Sequence, residues 1–386
     1  MVYLDNNATT PLDPAVADKM ASFLREHFGN PSSLYPIGRQ GKEMLNEARE
    51  RVALALGATK SEIYFTGSGT ESDNQAILGV LDALPDKREF VTSAIEHPAV
   101  QETARYLERK GYKVTILPVD KTGLVDLDAL RDALTPQTAL VSIMFANNEI
   151  GTVQPMADIV RIAKDKGVLV HTDAVQAFGK IPFGADALGV DLLSVAAHKI
   201  YGPKGVGALY VRRGTPLLPF LHGGHQERGM RAGTENTVGI VGFGEAARVL
   251  SEKFPHDKPR IDALAGRLGA GIRETIPKVH FNGLAEHRVK STLSCSFLGL
   301  ESEAILLALA TREIYVSTGS ACSEDSDEVS HVLLAIGLKP EIARSTVRMS
   351  LGRFNTDADV DLVLKDLPDI IGKLRKISAF DPEDID

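Results

Sequence analysis

The chain has 386 residues, with 43 Lys+Arg against 51 Asp+Glu, 44% hydrophobic residues and 34 Gly; this exceeds one minimal core and excludes a disordered or fibrous chain. A net charge of −8 without a long basic run argues against nucleic-acid binding. With 2 Cys there is no disulfide framework, and with neither an apolar leader nor a membrane-spanning stretch the expected setting is the cytoplasm.

Asp13-Pro14 pairs a capping side chain with Pro at the first helical position, predicting a helix to about residue 26 that stops near Gly29. Residues 38–56 repeat apolar positions at helical spacing and end at Gly57. Strands are then expected at 63–65, 89–92, 114–117, 139–145, 168–170, 191–195 and 207–211. Between most of them lie helical periods at 70–84, 99–110, 127–134 and 156–166. This alternation predicts an α/β fold with a mostly parallel sheet covered on both faces. After a Gly-rich stretch at 223–234, a helix is expected over 238–253, closed by Pro255 and Pro259. Those prolines set the expected boundary between a large domain, 14–255, and a smaller α+β domain made of 1–13 plus 256–386.

Several segments carry candidate chemistry. Lys199 follows His198 just beyond a buried strand, inside a Gly/Pro loop, where burial or nearby cations would make its amine reactive; alone, it reads more readily as a surface lysine in a turn. Asp173 ends the strand at 168–170, where open α/β sheets bind ligands, although a helix cap is the simpler role for one Asp. Thr66-Gly67-Ser68-Gly69-Thr70-Glu71 joins a strand to a helix and suits a phosphate without being a Walker A loop. His97 could stack on a planar ring or merely cap a helix, and Asn147-Asn148-Glu149 is a polar strand end. Cys295 sits in strand-like alternation and reads as structural. Cys322 sits in a small, polar loop without apolar neighbours, which suits a working nucleophile.

The spacing of 26 residues from Asp173 to Lys199 is similar to that of pyridoxal phosphate enzymes of the aspartate aminotransferase fold. Over nearly its whole length the chain resembles the cysteine desulfurases of the class V aminotransferase group. The likeness is carried by residues 3–10 and 29–33, Thr70-Glu71-Ser72-Asp73-Asn74, Glu96-His97, Asn147-Asn148-Glu149-Ile150-Gly151, the segments 198–205 and 228–234, Ser320-Ala321-Cys322, and 348–353. The Ser-Ala-Cys segment resembles the group whose cysteine sits on a long mobile loop.

The resemblance implies the fold-type I architecture of pyridoxal phosphate-dependent transferases, with the small domain beside the large sheet domain. It implies pyridoxal 5'-phosphate as cofactor and no metal. Lys199 would be the Schiff-base lysine, Asp173 the partner of the ring nitrogen, Gln176 that of the phenolic oxygen, and His97 the stacking and proton-transfer group. Gly69, Thr70 and His198 would hold the phosphate, with Thr234 reaching in from a second subunit of a homodimer. Asn148 and Arg348 would bind the substrate carboxylate, with Arg353 as a rival to Arg348. Where the family has Ser, this chain has Ala196, so one bond to the phosphate is missing. The implied reaction converts L-cysteine to L-alanine and leaves the sulfur as a persulfide on Cys322. An acceptor protein, an iron–sulfur scaffold or a thiolation factor, then takes the sulfur. A selenocysteine lyase or aminotransferase on the same fold, and a non-catalytic sulfur-carrier scaffold, are the alternatives.

Overall fold

In the computed structural model the described residues are 1–318 and 329–379. Seven strands form the main sheet, in the order Ile63–Thr66, Gly207–Val211, Leu192–Ala196, Leu169–Asp173, Thr138–Ser142, Glu89–Ser93 and Lys113–Leu117. All neighbours run parallel except at Gly207–Val211, which is antiparallel to both of its partners. Successive side chains on a strand face opposite sides, and both faces are apolar. Val91, Val141, Val170 and Leu193 enter one core with the helices Pro14–Glu26, Pro36–Ala55 and Met156–Asp165. Phe90, Leu140, Leu192 and Leu209 enter another with Gly69–Ala83 and Pro98–Arg109. Two-sided burial is why these strands read as unbroken apolar runs.

The expected strand at 139–145 pairs only through Ser142. Ile143 and Phe145 then bond singly to the carbonyls of His171 and Asp173. The chain therefore leaves the sheet at its carboxyl edge, where the polar segment 147–149 follows.

A larger departure concerns the helix expected to stop before Pro255: it runs unbroken over Thr237–Thr275 with both prolines inside. A helical proline removes one backbone bond, but Pro255 and Pro259 are exposed, so water can solvate the freed carbonyls. Packing fixes the two halves. Ile240, Phe243 and Leu250 belong to the core of the large sheet, and Leu264, Leu268 and Ile272 to a separate core. That second core covers a four-stranded antiparallel sheet, ordered Ser317–Thr318, Thr346–Ser350, Thr292–Phe297, Val279–Phe281. The amino-terminal strand Val2–Tyr3 pairs in parallel with Ile314–Tyr315, and Asp5 bridges to Ser350. Residues 6–10 are thereby laid across the carboxyl edge of the main sheet.

Candidate active site

A cleft of about 1750 Å³, open mouth included, lies at the carboxyl edge of the parallel strands. Gly69, Thr70, His97, Asn148, Asp173, Gln176, His198, Lys199 and Arg348 all line it. Of the other expected residues, Thr234 lies on an exposed stretch and is not among the lining residues. Cys322 falls outside the described residues, which resume at Val329 and Ser330 on the cleft wall.

Lys199 is the last residue of a short turn, Ala197–Lys199, directly after the strand Leu192–Ala196. Its Nζ donates to the carbonyls of Asn7 at 2.5 Å and Ala8 at 2.7 Å. Asp173 ends the neighbouring strand, 5% exposed, and its Oδ1 accepts the Val175 N–H at 2.9 Å. Burial pushes the Asp173 carboxyl up, while His97, the Val175 amide and Lys199 pull it back down. His97 caps the helix Pro98–Arg109: its Nδ1 accepts the Ala99 N–H at 3.1 Å, which places the proton of the neutral ring on Nε2. Burial keeps this imidazole below its usual range, opposed by Asp173 and assisted by Lys199.

The first turn of Gly69–Ala83 opens on the cleft, and Ser68 Oγ caps it through the Glu71 N–H. The Gly69 and Thr70 amides are left without helical partners, the usual seat for an anion. A Cβ on Gly69 would stand 3.0 Å from Val175 Cγ2, so only glycine brings this turn so close to the sheet. His198 lies beside it, its proton affinity pushed down to about 4 by burial and by Lys199, Lys204 and Lys180. Ala196 also lines the cleft and brings no hydroxyl to this seat.

The two arginines differ in position. Arg348, 2% exposed, lines the cleft, bonds Asp5 at 2.8 Å and reaches the Asn148 carbonyl at 3.4 Å. Its Nε has no hydrogen-bond partner among the described residues. Arg353 points elsewhere, with Nε on Asp257 at 2.6 Å, one terminal nitrogen on Asp13 at 2.9 Å and its plane over Tyr201.

Sequence reasoning missed a set of buried acids. Asp73 is 1% exposed, its Oδ1 without a hydrogen bond among the described residues but 3.6 Å from His171 Nε2, and burial together with Asp173 raises its carboxyl well above the usual range. Glu96 is fully buried, takes the Ser93 hydroxyl and the Met144 N–H, and is pushed up to about 8, chiefly by burial. Glu149 accepts Ser330 Oγ at 2.5 Å and is raised to about 7 by burial. His171 links Ser142 at 2.8 Å to Ser194 at 3.0 Å beneath the cleft and stays neutral through burial. Asp73 and Glu96 lie in segments where an acid on a helix or in a loop reads as solvated, so only the fold reveals their burial.

The cleft therefore offers an anion seat, a buried carboxylate, an amine, an imidazole and a guanidinium with spare donor capacity. These fit the phosphate, ring nitrogen, aldehyde and ring face of pyridoxal phosphate, plus a second carboxylate-bearing molecule. Among the described residues no cluster could hold a metal ion.

The profile of the family described as Aminotransferase class-V matches residues 2–363. The chain is 49% identical over 384 residues to a cysteine desulfurase IscS of Methanosarcina thermophila, covering 99% of this chain and 95% of that one. It is 48% identical over 383 residues to a cysteine desulfurase IscS of Dictyoglomus turgidum, covering 99% and 97%. A solved NifS-like protein superposes with a TM-score of 0.91 at 42% identity, covering 97% of this chain and 100% of the other. A structure described as SspA in complex with cysteine gives 0.81 at 37% identity, covering 92% and 100%. The chain belongs to the class-V aminotransferase family, beside its cysteine desulfurases.

Proposed function

We propose that the protein is a pyridoxal phosphate-dependent cysteine desulfurase, which converts L-cysteine to L-alanine and passes the sulfur through a persulfide on Cys322 to an acceptor. The observation that carries this is the convergence of Lys199, Asp173, His97 and Arg348 on one cleft, in a chain 49% identical to a protein named for that activity. A transaminase of the same fold has no use for Cys322.

Bound pyridoxal phosphate supplies the electron sink that makes the Cα proton of cysteine removable. The chain's own groups then have defined tasks. The Gly69 and Thr70 amides and His198 would hold the phosphate, and Asp173 would keep the ring nitrogen protonated. Gln176 would donate to the phenolic oxygen, and His97 would stack on the ring. Arg348 and Asn148 orient the substrate carboxylate, with the free Arg348 Nε as the donor left for it. Lys199 Nζ removes the Cα proton. The Cys322 thiolate attacks the substrate sulfur; a sulfur–sulfur bond forms as the sulfur–carbon bond breaks, its electron pair stays on the three-carbon fragment, and protonation there, with return of the Cα proton from Lys199, gives alanine. His97, neutral with Nε2–H, relays protons in these transfers.

A homodimer completes the site in this proposal, with Thr234 entering the cleft of the second copy. In support, Thr234 is exposed, and the preceding stretch shows Leu218, Phe220 and Leu221 at 46%, 37% and 38% exposure. The two packed cores are taken as the large and small domains, joined by the helix Thr237–Thr275. Among the described residues no helix is long and apolar enough to cross a membrane, and a cytoplasmic site of action is part of the proposal.

The test is chemical. Protein loaded with pyridoxal phosphate should release alanine from L-cysteine in equimolar amount with sulfur transferred to a thiol acceptor. Formation of pyruvate or a keto acid instead of alanine would overturn the assignment.

A further inference from the structure

Two lysines reach the amino-terminal turn beneath the cleft. Lys199 holds the carbonyls of Asn7 and Ala8. Lys180, four residues beyond Gln176, donates to Asn7 Oδ1 at 2.7 Å and to Gln176 Oε1. Gln176 Nε2 donates to the Asn7 carbonyl at 2.9 Å. Asn7 is itself fixed, giving Nδ2 to the Asn148 carbonyl and to Thr292 Oγ1, both at 2.9 Å.

An amide has one oxygen that accepts and one nitrogen with a pair of N–H groups. The Asn7 carbonyl can only accept, so the Gln176 nitrogen must face it. Lys180 donates, so the Gln176 oxygen must face the lysine. The side chain is gripped at both ends, and one N–H is left without a partner among the described residues, in a residue that lines the cleft. The position is a costly one for a cation. Burial, Lys199 and Arg348 all oppose the charge on Lys180, and Asp5 alone favours it. A methionine would fill the same space without that cost.

We propose that Lys180 is a positioning residue: by holding the oxygens of Gln176 and Asn7 it keeps the remaining Gln176 N–H presented to the cleft as a donor to an anionic oxygen of the bound cofactor. This rests on the cleft being a pyridoxal phosphate site. Lys180 touches neither cofactor nor substrate, and acts only through Gln176.

The experiment uses the loaded protein without substrate and follows its visible absorption band against pH. An oxygen anion that loses a donor becomes more basic, so Lys180→Met should move the midpoint of the band's pH transition upward by about one unit. Gln176→Ala should move it similarly. In the Gln176→Ala background, Lys180→Met should add less than about a third of its single effect, because the coupled pair is already broken. Lys180→Arg, which also only donates, should stay near the parent. A purely structural tie would lower the melting temperature and leave the midpoint in place, which overturns the proposal. An equal shift from Lys180→Met in both backgrounds also overturns it, since the lysine would then act by charge and not through Gln176. Should Lys180→Met not accumulate as folded protein, Lys180→Gln is read in its place with the same expected outcomes. A parent protein that takes up no cofactor overturns the site assignment and this role together; a normal parent with an unmoved Lys180→Met overturns this role alone.

Discussion

Lys199 stands between two cavities of opposite character. One is the cleft, and the other is a smaller space of about 540 Å³ lined by Tyr201, Leu250, Phe254, Asp257 and Arg353. In the smaller cavity the polar groups are spoken for. Arg353 is held by Asp13 and Asp257, the Tyr201 hydroxyl accepts the Arg353 N–H at 2.5 Å, and Lys258 pairs with Asp262. In the cleft they are not: among the described residues Arg348 Nε has no hydrogen-bond partner, Asp73 Oδ1 has only His171 Nε2 at 3.6 Å, and a helix opens its first amides on the space. Buried polar groups are normally satisfied, so the cavity with orphaned groups is the one built for a ligand. The other lies between the two cores with these polar groups already paired.

That contrast can be broken by mutation. The largest effect is expected at the residue both cavities share. Lys199→Ala should lower alanine formation by roughly a thousandfold or more, since no other amine is placed to take the Cα proton; the alanine assay checks it. The two arginines should then separate cleanly. Arg348→Met should raise the KM for L-cysteine by about 10- to 100-fold, the worth of a charged hydrogen-bond pair to a carboxylate, and should also lower the melting temperature, because Asp5 loses its partner at 2.8 Å. Arg353→Met should cost stability alone. It leaves the buried Asp13 carboxylate with the Ala15 N–H at 3.0 Å and Lys253, at 3.6 Å, as its remaining cation, a loss of about 3 kcal/mol in stability measurable by denaturant titration, with KM unchanged. Exchanged outcomes would mean that the cavities have been assigned the wrong way round.

The buried acids sharpen the contrast through pH. Glu96 has its carboxyl pushed up to about 8 from an ordinary 4.5, so the folded protein holds a proton that the unfolded chain has lost across that window. Stability should therefore fall as pH rises from about 5 to 8. Glu96→Gln should flatten that part of the curve, as read from melting temperatures at several pH values. The smallest effect is at Ala196. Ala196→Ser would return a hydroxyl beside the Gly69 turn and should tighten cofactor binding by about tenfold, one hydrogen bond to a charged group, measured by equilibrium dialysis.

Much of this was legible before any coordinates. Runs such as Leu192–Ala196 are apolar on both faces because both faces are covered, and that pattern places Asp173 and Lys199 at strand ends. What stayed hidden depends on contacts distant in sequence. Nothing local marks Asn7 as the residue on which Lys199, Lys180 and Gln176 meet, because the pairing of Val2–Tyr3 with Ile314–Tyr315 brings it there. The two prolines in Thr237–Thr275 read as a stop, since the sequence does not show that their freed carbonyls face water while both halves of the helix are pinned by different cores. Arg348 and Arg353 are indistinguishable by spacing; the acids that meet them, Asp5 against Asp13 and Asp257, set them apart only in the fold.

The most direct test of the central claim is the mass of the protein itself. After brief exposure of the loaded enzyme to L-cysteine, peptide mass spectrometry should find one additional sulfur on the peptide containing Cys322. Cys295, fully buried with its thiol pushed up to about 12, should carry none. Cys322→Ser should show no added sulfur and almost no alanine, while Cys295→Ser should match the parent in both. Alanine formation at the parent rate by Cys322→Ser would contradict the account, because the sulfur would then leave cysteine without a thiol nucleophile.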